Sequence, residues 1–184
     1  MRSSHKNLRG EKESFIRITV RHPCIPLTLF AKRNNAGLFL TSISFGRVGR
    51  VKAMHGVAVQ ESNDPALKKY AGKIKGFLDG RTGSLDKIPL DLAWCTEFQK
   101  KVLGAARKIP RGATISYSEL AGKAGYPAAV RAAASVMRGN RFPLVIPCHR
   151  VIGKDGAIGG FMGAKTGRPV ALKKKLLARE RLSF

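Results

Sequence analysis

Acidic residues are scarce in this chain of 184 residues: 11 Asp and Glu stand against 35 Lys and Arg, a formal net charge of +24. Cysteine is scarce as well. Three of them (Cys24, Cys95 and Cys148) make no disulfide framework, and no Cys-x-x-Cys pair points to a zinc ribbon or a dithiol redox site. No apolar run approaches the roughly 18–20 residues that a membrane span requires. The start, Met1 to Lys12, is polar where a signal peptide would be apolar. Neither an internal repeat nor a low-complexity tract is present, which excludes solenoids and fibrous arrays. These absences leave a soluble intracellular protein, expected in the cytoplasm and without a membrane partner.

What is present is an ordinary apolar fraction, 43%, and enough length for one domain or two small ones. The charge is uneven. Residues 1–99 hold 17 basic and 8 acidic residues; residues 100–184 hold 18 and 3. An excess of that size favours a polyanion, most often nucleic acid, over a merely solvated surface.

Residues 1–14 read as a loose basic arm. Phe15–Arg21, Leu27–Lys32 and Leu38–Phe45 are short apolar or β-branched runs split by turn residues, which predicts three largely antiparallel strands. Asp64-Pro65 opens a helix through Leu78, and Gly80–Ser84 stops it. Ile88–Leu92 is a linker or strand, with a domain boundary near Pro89: residues 1–88 as one α/β domain, 89–184 as a second. Trp94–Lys108 has a helical stripe of Phe98, Val102, Leu103 and Ala106. Ser116 and Glu119 form a capping box for a short helix that ends at Gly122–Gly125. Tyr126-Pro127 is expected to start the next, closed by Gly139-Asn140.

Two helices joined by a glycine turn resemble a helix-turn-helix. On the second, at about 100° per residue, Arg131, Ser135 and Arg138 share a polar ridge, with the small residues Ala128 and Ala132 beside it. Val130, Ala134 and Met137 form a second stripe that reads as core. Small residues next to Arg let the backbone approach whatever the Arg reaches.

The most specific stretch runs from Asn140 to Ile152 and holds Cys148-His149-Arg150. A free cysteine is usually a small buried hydrophobe. Here His149 and Arg150 follow it, and such neighbours favour the nucleophilic thiolate. In extended backbone adjacent side chains point to opposite faces, so cooperation of Cys148 with His149 needs an intervening water or a tight turn.

Pro147-Cys148-His149-Arg150-Val151 resembles the active-site signature of the methylated-DNA–protein-cysteine methyltransferases, the alkylguanine-DNA alkyltransferases. The likeness runs in order through Phe98-Gln99, Ile109-Pro110, Gly112, Ser116–Ala121, Arg131, Asn140, Gly159–Phe161 and Leu176–Glu180. It covers nearly all of the C-terminal half; the N-terminal half is similar only in size and coarse αβ pattern.

The resemblance implies a two-domain α/β protein. A small antiparallel-sheet α/β domain (ribonuclease H-like) would precede a winged-helix-like helix-turn-helix domain. It implies irreversible, stoichiometric transfer of an alkyl group from O-6 of guanine in double-stranded DNA to Cys148, by a monomer without cofactor or metal. His149 would act through a water as base, oriented by Glu180. Asn140 would hydrogen-bond in that network, and Tyr117 would donate to guanine N3. Arg131 would replace the flipped nucleotide in the stack. Pro143 would wall the alkyl pocket, and main-chain groups of Cys148, Val151 and Met162 would read the base edge. Phe161 stands where many members have tyrosine, so it would serve as a surface and not as a proton donor. About five extra residues lie around Lys165–Val170. Some members bind zinc in the N-terminal domain; here His5, His22, Cys24 and His55 have no recognisable spacing, and no zinc is expected. Two other functions compete. A module that flags alkylated bases without transferring anything would lack the cysteine, and a cysteine hydrolase fits poorly with adjacent Cys and His.

Overall fold

A computed structural model describes residues 5–6, 12–23, 25–46, 53–54, 57–81 and 85–181. Residues 1–4 and 7–11 of the basic arm, Cys24 and His55 lie outside them. The chain forms two compact units, Met1–Asp79 with Lys87–Leu92 and Gly80–Asp86 with Ala93–Phe184. It therefore passes between the units three times, where a single boundary near Pro89 was expected.

The first unit is built on a six-stranded sheet: β1 (His5–Lys6), β2 (Lys12–Val20), β3 (Leu27–Asn34), β4 (Gly37–Phe45), β5 (Ala53–Met54) and β6 (Val57–Glu61). The order is β4-β3-β2-β6-β5, with β1 on β2. Antiparallel register sets Ile18 opposite Leu29 and Leu29 opposite Ile43. Leu27 to Ala31 of β3 are all buried, so both faces of this central strand are covered there. Strand β6 was not expected, and it pairs with β2 in parallel, Phe15 opposite Val59. Ile88–Leu92 joins this unit as an edge: the Leu40 amide donates to Pro89 O at 2.9 Å and the Asp91 amide to Leu40 O at 2.8 Å.

Helix α1 (Pro65–Leu78) packs on β2. The Asp64 carboxylate caps it by accepting the Ala66 and Leu67 amides, and Pro65 needs no partner at the first position. Its inward stripe is Leu67, Ala71, Ile74, Phe77 and Leu78.

The second unit carries α2 (Glu97–Arg107), β7 (Ile115–Ser116), α3 (Tyr117–Lys123), α4 (Val130–Arg138), a 3₁₀ turn (Cys148–Arg150), β8 (Val151–Ile152) and α5 (Arg168–Arg181). Helix α2 starts three residues later than Trp94, at a second capping box between Thr96 and Gln99. The Ser116–Glu119 box starts α3. That helix closes through Gly125 (φ +85°), with the Tyr126 amide donating to Ala121 O and the Gly125 amide to Gly122 O. This is a Schellman stop, and it needs a left-handed residue.

Helix α4 begins at Val130, not at Tyr126-Pro127. Pro127 sits instead in a turn closed by the Ala129 amide on Tyr126 O at 2.9 Å. Proline suits the second position of such a turn as well as a helix start. The Tyr126 ring is held edge-on to Phe98 of α2, with centroids 4.9 Å apart. The fully buried stripe of α4 is Ala133 and Met137, while Val130 and Ala134 are half-buried. Among the described residues no helix is long and apolar enough to cross a membrane.

Candidate active site

Asn140 follows the α4 terminus and turns the chain. Its Oδ1 accepts the Phe142 amide at 2.9 Å, and its Nδ2 donates to Ile146 O at 2.9 Å and to Cys148 Sγ at 3.2 Å. Gly139 keeps φ at −87°, so the side chain of Asn140, not glycine freedom, redirects the backbone. Leu144, within this loop, is buried at φ +73°. A left-handed non-glycine residue costs about 1–3 kcal/mol and persists only where surrounding packing imposes it. Phe142, Val145 and Ile146 of the same loop are buried with it.

The loop delivers Cys148-His149-Arg150 as a 3₁₀ turn, with the Arg150 amide on Pro147 O at 2.9 Å. The backbone is therefore a tight turn and not extended. Successive side chains in such a turn diverge by about 120°. His149 is fully buried, and its Nε2 donates to Glu180 Oε1 at 2.8 Å. With the proton on Nε2, the neutral ring has its lone pair on Nδ1. Nδ1 is buried and has no hydrogen-bond partner among the described residues.

Arg150 does not face the thiol. Its Nε and Nη2 grip Glu180 at 2.9 and 2.8 Å, and its Nη1 donates to Ile109 O at 2.6 Å. The expectation that Arg150 favours the thiolate is corrected: its charge is engaged by a carboxylate. Glu180 also accepts the Gly112 amide at 3.3 Å. Burial alone would raise the Glu180 carboxyl, but the hydrogen bonds and charges of His149 and Arg150 outweigh it and hold it at about 2. Burial pushes His149 down, only partly offset by Glu180, so the imidazole is neutral at neutral pH.

The cation that does act on Cys148 is Lys173, which the sequence reading missed. It is 0% exposed. Its position was legible in retrospect: Lys173, Leu176 and Glu180 follow helical spacing and form the inward stripe of α5. Burial pushes the Cys148 thiol up, and the Asn140 hydrogen bond and the Lys173 charge pull it back in part.

Cys148 opens into a cavity of about 360 Å³ lined by Tyr117, Arg131, Ala134, Ser135, Met137, Arg138 and the segment Gly160–Lys165. That volume suits a small organic group (about 300–1,000 Å³). Tyr117 arrives because β7 pairs in parallel with β8, Ile115 opposite Val151 and Ser116 opposite Ile152. This ladder ties the first residue of α3 to the strand just after the cysteine. Burial and the nearby Cys148 charge raise the Tyr117 phenol, so it stays a proton donor. Phe161 and Ala164 exchange backbone hydrogen bonds at 2.9 and 3.0 Å, forming a small hairpin. Its tip, Met162, sits at φ +52° and is 44% exposed.

Of the residues singled out in the sequence, Tyr117, Arg131, Ser135, Arg138, Cys148, Phe161 and Met162 line this cavity. Asn140, His149 and Glu180 stand behind it. Pro143 and Val151 are buried outside the lining, Pro143 bridging to Ile146. Arg131, Ser135, Arg138, Ala128 and Ala132 are all exposed. His22 is paired with Asp79 at 3.1 Å, and among the described residues no three His, Cys, Asp or Glu side chains cluster as metal ligands.

Residues 97–182 match the family model of the 6-O-methylguanine DNA methyltransferase DNA-binding domain. The methylated-DNA–protein-cysteine methyltransferase of Methanothermobacter thermautotrophicus is 47% identical over 125 residues, 67% of each chain. The constitutive Bacillus subtilis enzyme of the same name is 44% identical over 124 residues, again 67% of each. Among solved structures, Mycobacterium tuberculosis OGT in complex with DNA superposes with a TM-score of 0.72 at 29% identity, over 91% of this chain and 94% of that one. With a cysteine set between an asparagine and a buried His–Glu pair, and relatives this similar over two thirds of their length, the chain belongs to the methylated-DNA–protein-cysteine methyltransferases.

Proposed function

We propose that this protein repairs O-6-alkylguanine in double-stranded DNA by moving the alkyl group, once and irreversibly, onto Cys148. The observation that carries the reading is Cys148 itself: its sulfur faces the cavity, with Asn140 on it and the buried His149–Glu180 pair in the same turn. The Sγ–H proton passes through an intervening water to His149 Nδ1, the ring's free acceptor. The sulfur lone pair then forms the S–C bond as the C–O6 bond breaks, and the bonding pair leaves with guanine. Tyr117 donates its hydroxyl proton toward guanine N3, where negative charge builds. The thioether has no carbonyl for water to attack, so the protein is spent after one turnover. No cofactor enters this scheme.

The target atom lies inside the duplex, so the nucleotide must be extruded. Arg131 enters the vacated stack from α4; Ala132 on that helix and Ala128 in the turn before it are small enough to allow close minor-groove approach. Ser135, Arg138 and the basic residues of the second unit bind phosphate without regard to sequence. Pro143 backs the alkyl site, and main-chain groups of Cys148, Val151 and Met162 read the base edge. Phe161 presents a flat apolar surface to the alkyl group.

The α3–α4 pair with the β7–β8 ladder supports a winged-helix-like reading of residues 89–184. The sheet with one covering helix supports a ribonuclease H-like reading of residues 1–88. The protein would work as a monomer in the cytoplasm. A lesion-flagging module that transfers nothing has no use for a nucleophile in this setting.

Incubation with duplex DNA holding O-6-methylguanine should add one methyl group, once per molecule, to the peptide containing Cys148. Mass spectrometry reads it directly. Repeated turnover, or methyl on Cys24 or Cys95 instead, defeats the reading.

A further inference from the structure

A lysine with no exposed surface is rare, because an ammonium taken from water is costly unless paired. Lys173 has no carboxylate partner among the described residues. Its Nζ donates to Val151 O at 2.6 Å and to Gly160 O at 3.4 Å. Those carbonyls belong to the strand just after Cys148-His149-Arg150 and to the root of the Phe161–Ala164 hairpin. A neutral hydrogen-bonding side chain could serve both; a buried charge calls for a further reason.

We propose that Lys173 is a positioning residue for the transfer: its ammonium stabilises the Cys148 thiolate, opposes protonation of His149, and pins the hairpin root beside the sulfur. This rests on Cys148 being the alkyl acceptor.

The surrounding charges leave this role to Lys173. From the 3₁₀ turn, Cys148 and His149 both feel its charge, and Arg150 is bound to Glu180. From α3 the only titratable neighbour of the sulfur is Tyr117, a neutral phenol. From α4, Arg131 and Arg138 line the cavity but are exposed, as is Lys165 just after the hairpin. On α5 itself Lys174 and Lys175 are exposed. A charge in water is screened; one in the interior is not. Because the same ammonium favours thiolate and disfavours imidazolium, His149 Nδ1 stays an open acceptor in the resting protein, and the proton it takes from the sulfur does not stay there: it leaves through water to restore the phenol proton that Tyr117 gives to guanine.

Burial lowers Lys173 to about 8, against a smaller upward pull from Cys148. Its charge is therefore present below about pH 8 and fades above. The full chain and its Lys173→Met, Lys173→Gln and Lys173→Arg variants are compared by the rate of Cys148 carboxamidomethylation with iodoacetamide, from pH 6 to 10, read on the Cys148 peptide. Lys173→Met should react about tenfold more slowly at pH 7, with its midpoint moved up by about one unit. The deficit should narrow above pH 8, where the parent loses its charge. Lys173→Gln keeps a donor for Val151 O but no charge, so it should follow Met. Lys173→Arg should keep the parent's midpoint.

A parent-like midpoint in Lys173→Gln would make Lys173 a hydrogen-bonding peg and overturn the proposal. Equal slowing at every pH, with no midpoint shift, would do the same. Should neither uncharged chain fold, Lys173→Arg decides alone: a retained midpoint supports the role and a raised one refutes it. Methyl transfer from duplex DNA to the parent is measured beside it. A parent that takes no methyl group while the iodoacetamide midpoint still shifts would refute the acceptor reading and leave the charge effect standing.

Discussion

The two units bury different things. Among the described residues, the sheet unit hides Thr28, Thr41 and His22 as its only buried polar side chains, amid Leu27, Leu29, Phe30, Leu40, Leu67 and Ile74. The helical unit hides His149, Arg150, Lys173 and Glu180 within one constellation. Apolar burial is non-directional and roughly additive with area. A buried charge network is directional and stable only when complete. The sheet unit is therefore a scaffold whose losses are local and graded. The helical unit holds a device that fails when one member is removed.

The largest expected effect breaks that device. Glu180→Gln leaves Arg150 buried without its carboxylate, and removing one partner of such a pair costs about 3–5 kcal/mol. Urea unfolding followed by the fluorescence of Trp94, the single tryptophan and a member of this unit, reads it. The acid dependence has a definite sign. The folded value, about 2, lies below the ordinary 4.5, so this stabilisation is present above pH 4.5 and is lost as pH falls toward 2. Parent and variant should converge across that window; parallel curves would show that the network does not carry the stability assigned to it.

A slightly smaller effect sharpens the scaffold side. Leu29→Ala, at a fully buried strand position, should cost about 2–5 kcal/mol. Below its melting range the variant should still transfer methyl to Cys148 at the parental rate per folded molecule. A slowed transfer at full folding would mean the sheet unit contributes to the chemistry.

The smallest effect separates chemistry from DNA handling inside the helical unit. Arg131→Ala should slow transfer from duplex DNA tenfold or more, on the order of 1.4 kcal/mol. Transfer from free O-6-benzylguanine, which needs no extrusion, should stay as it was. The salt slope of DNA binding should change by about one unit at most. An equal loss on both substrates would place Arg131 in the fold or the reaction instead of the stack.

Local signals served the reading well where their reach is a few residues. Asp64-Pro65 marked the start of α1, and Ser116 with Glu119 marked that of α3. They failed where one motif has two uses, as Pro127 does, and where a short element depends on a remote partner. Val57–Glu61 is a strand because β2, some forty residues earlier, offers it an edge. In the site, Cys148, His149, Asn140 and Glu180 were all singled out through a motif and a resemblance. The engagement of Arg150 and the burial of Lys173 were not.

The sequence by itself determined the order Cys-His-Arg, the caps that start and stop the helices, and an overwhelming positive charge. These follow from backbone hydrogen bonding within a turn or two and from composition. Which cation faces the sulfur was decided only by tertiary structure. Arg150, two residues from Cys148, is drawn to a carboxylate 30 residues away, while Lys173 packs back onto Val151, 22 residues before it. Along the chain, proximity favours Arg150. In the folded interior, electrostatics follows distance in space and desolvation, and both are set by where α5 packs against the 3₁₀ turn.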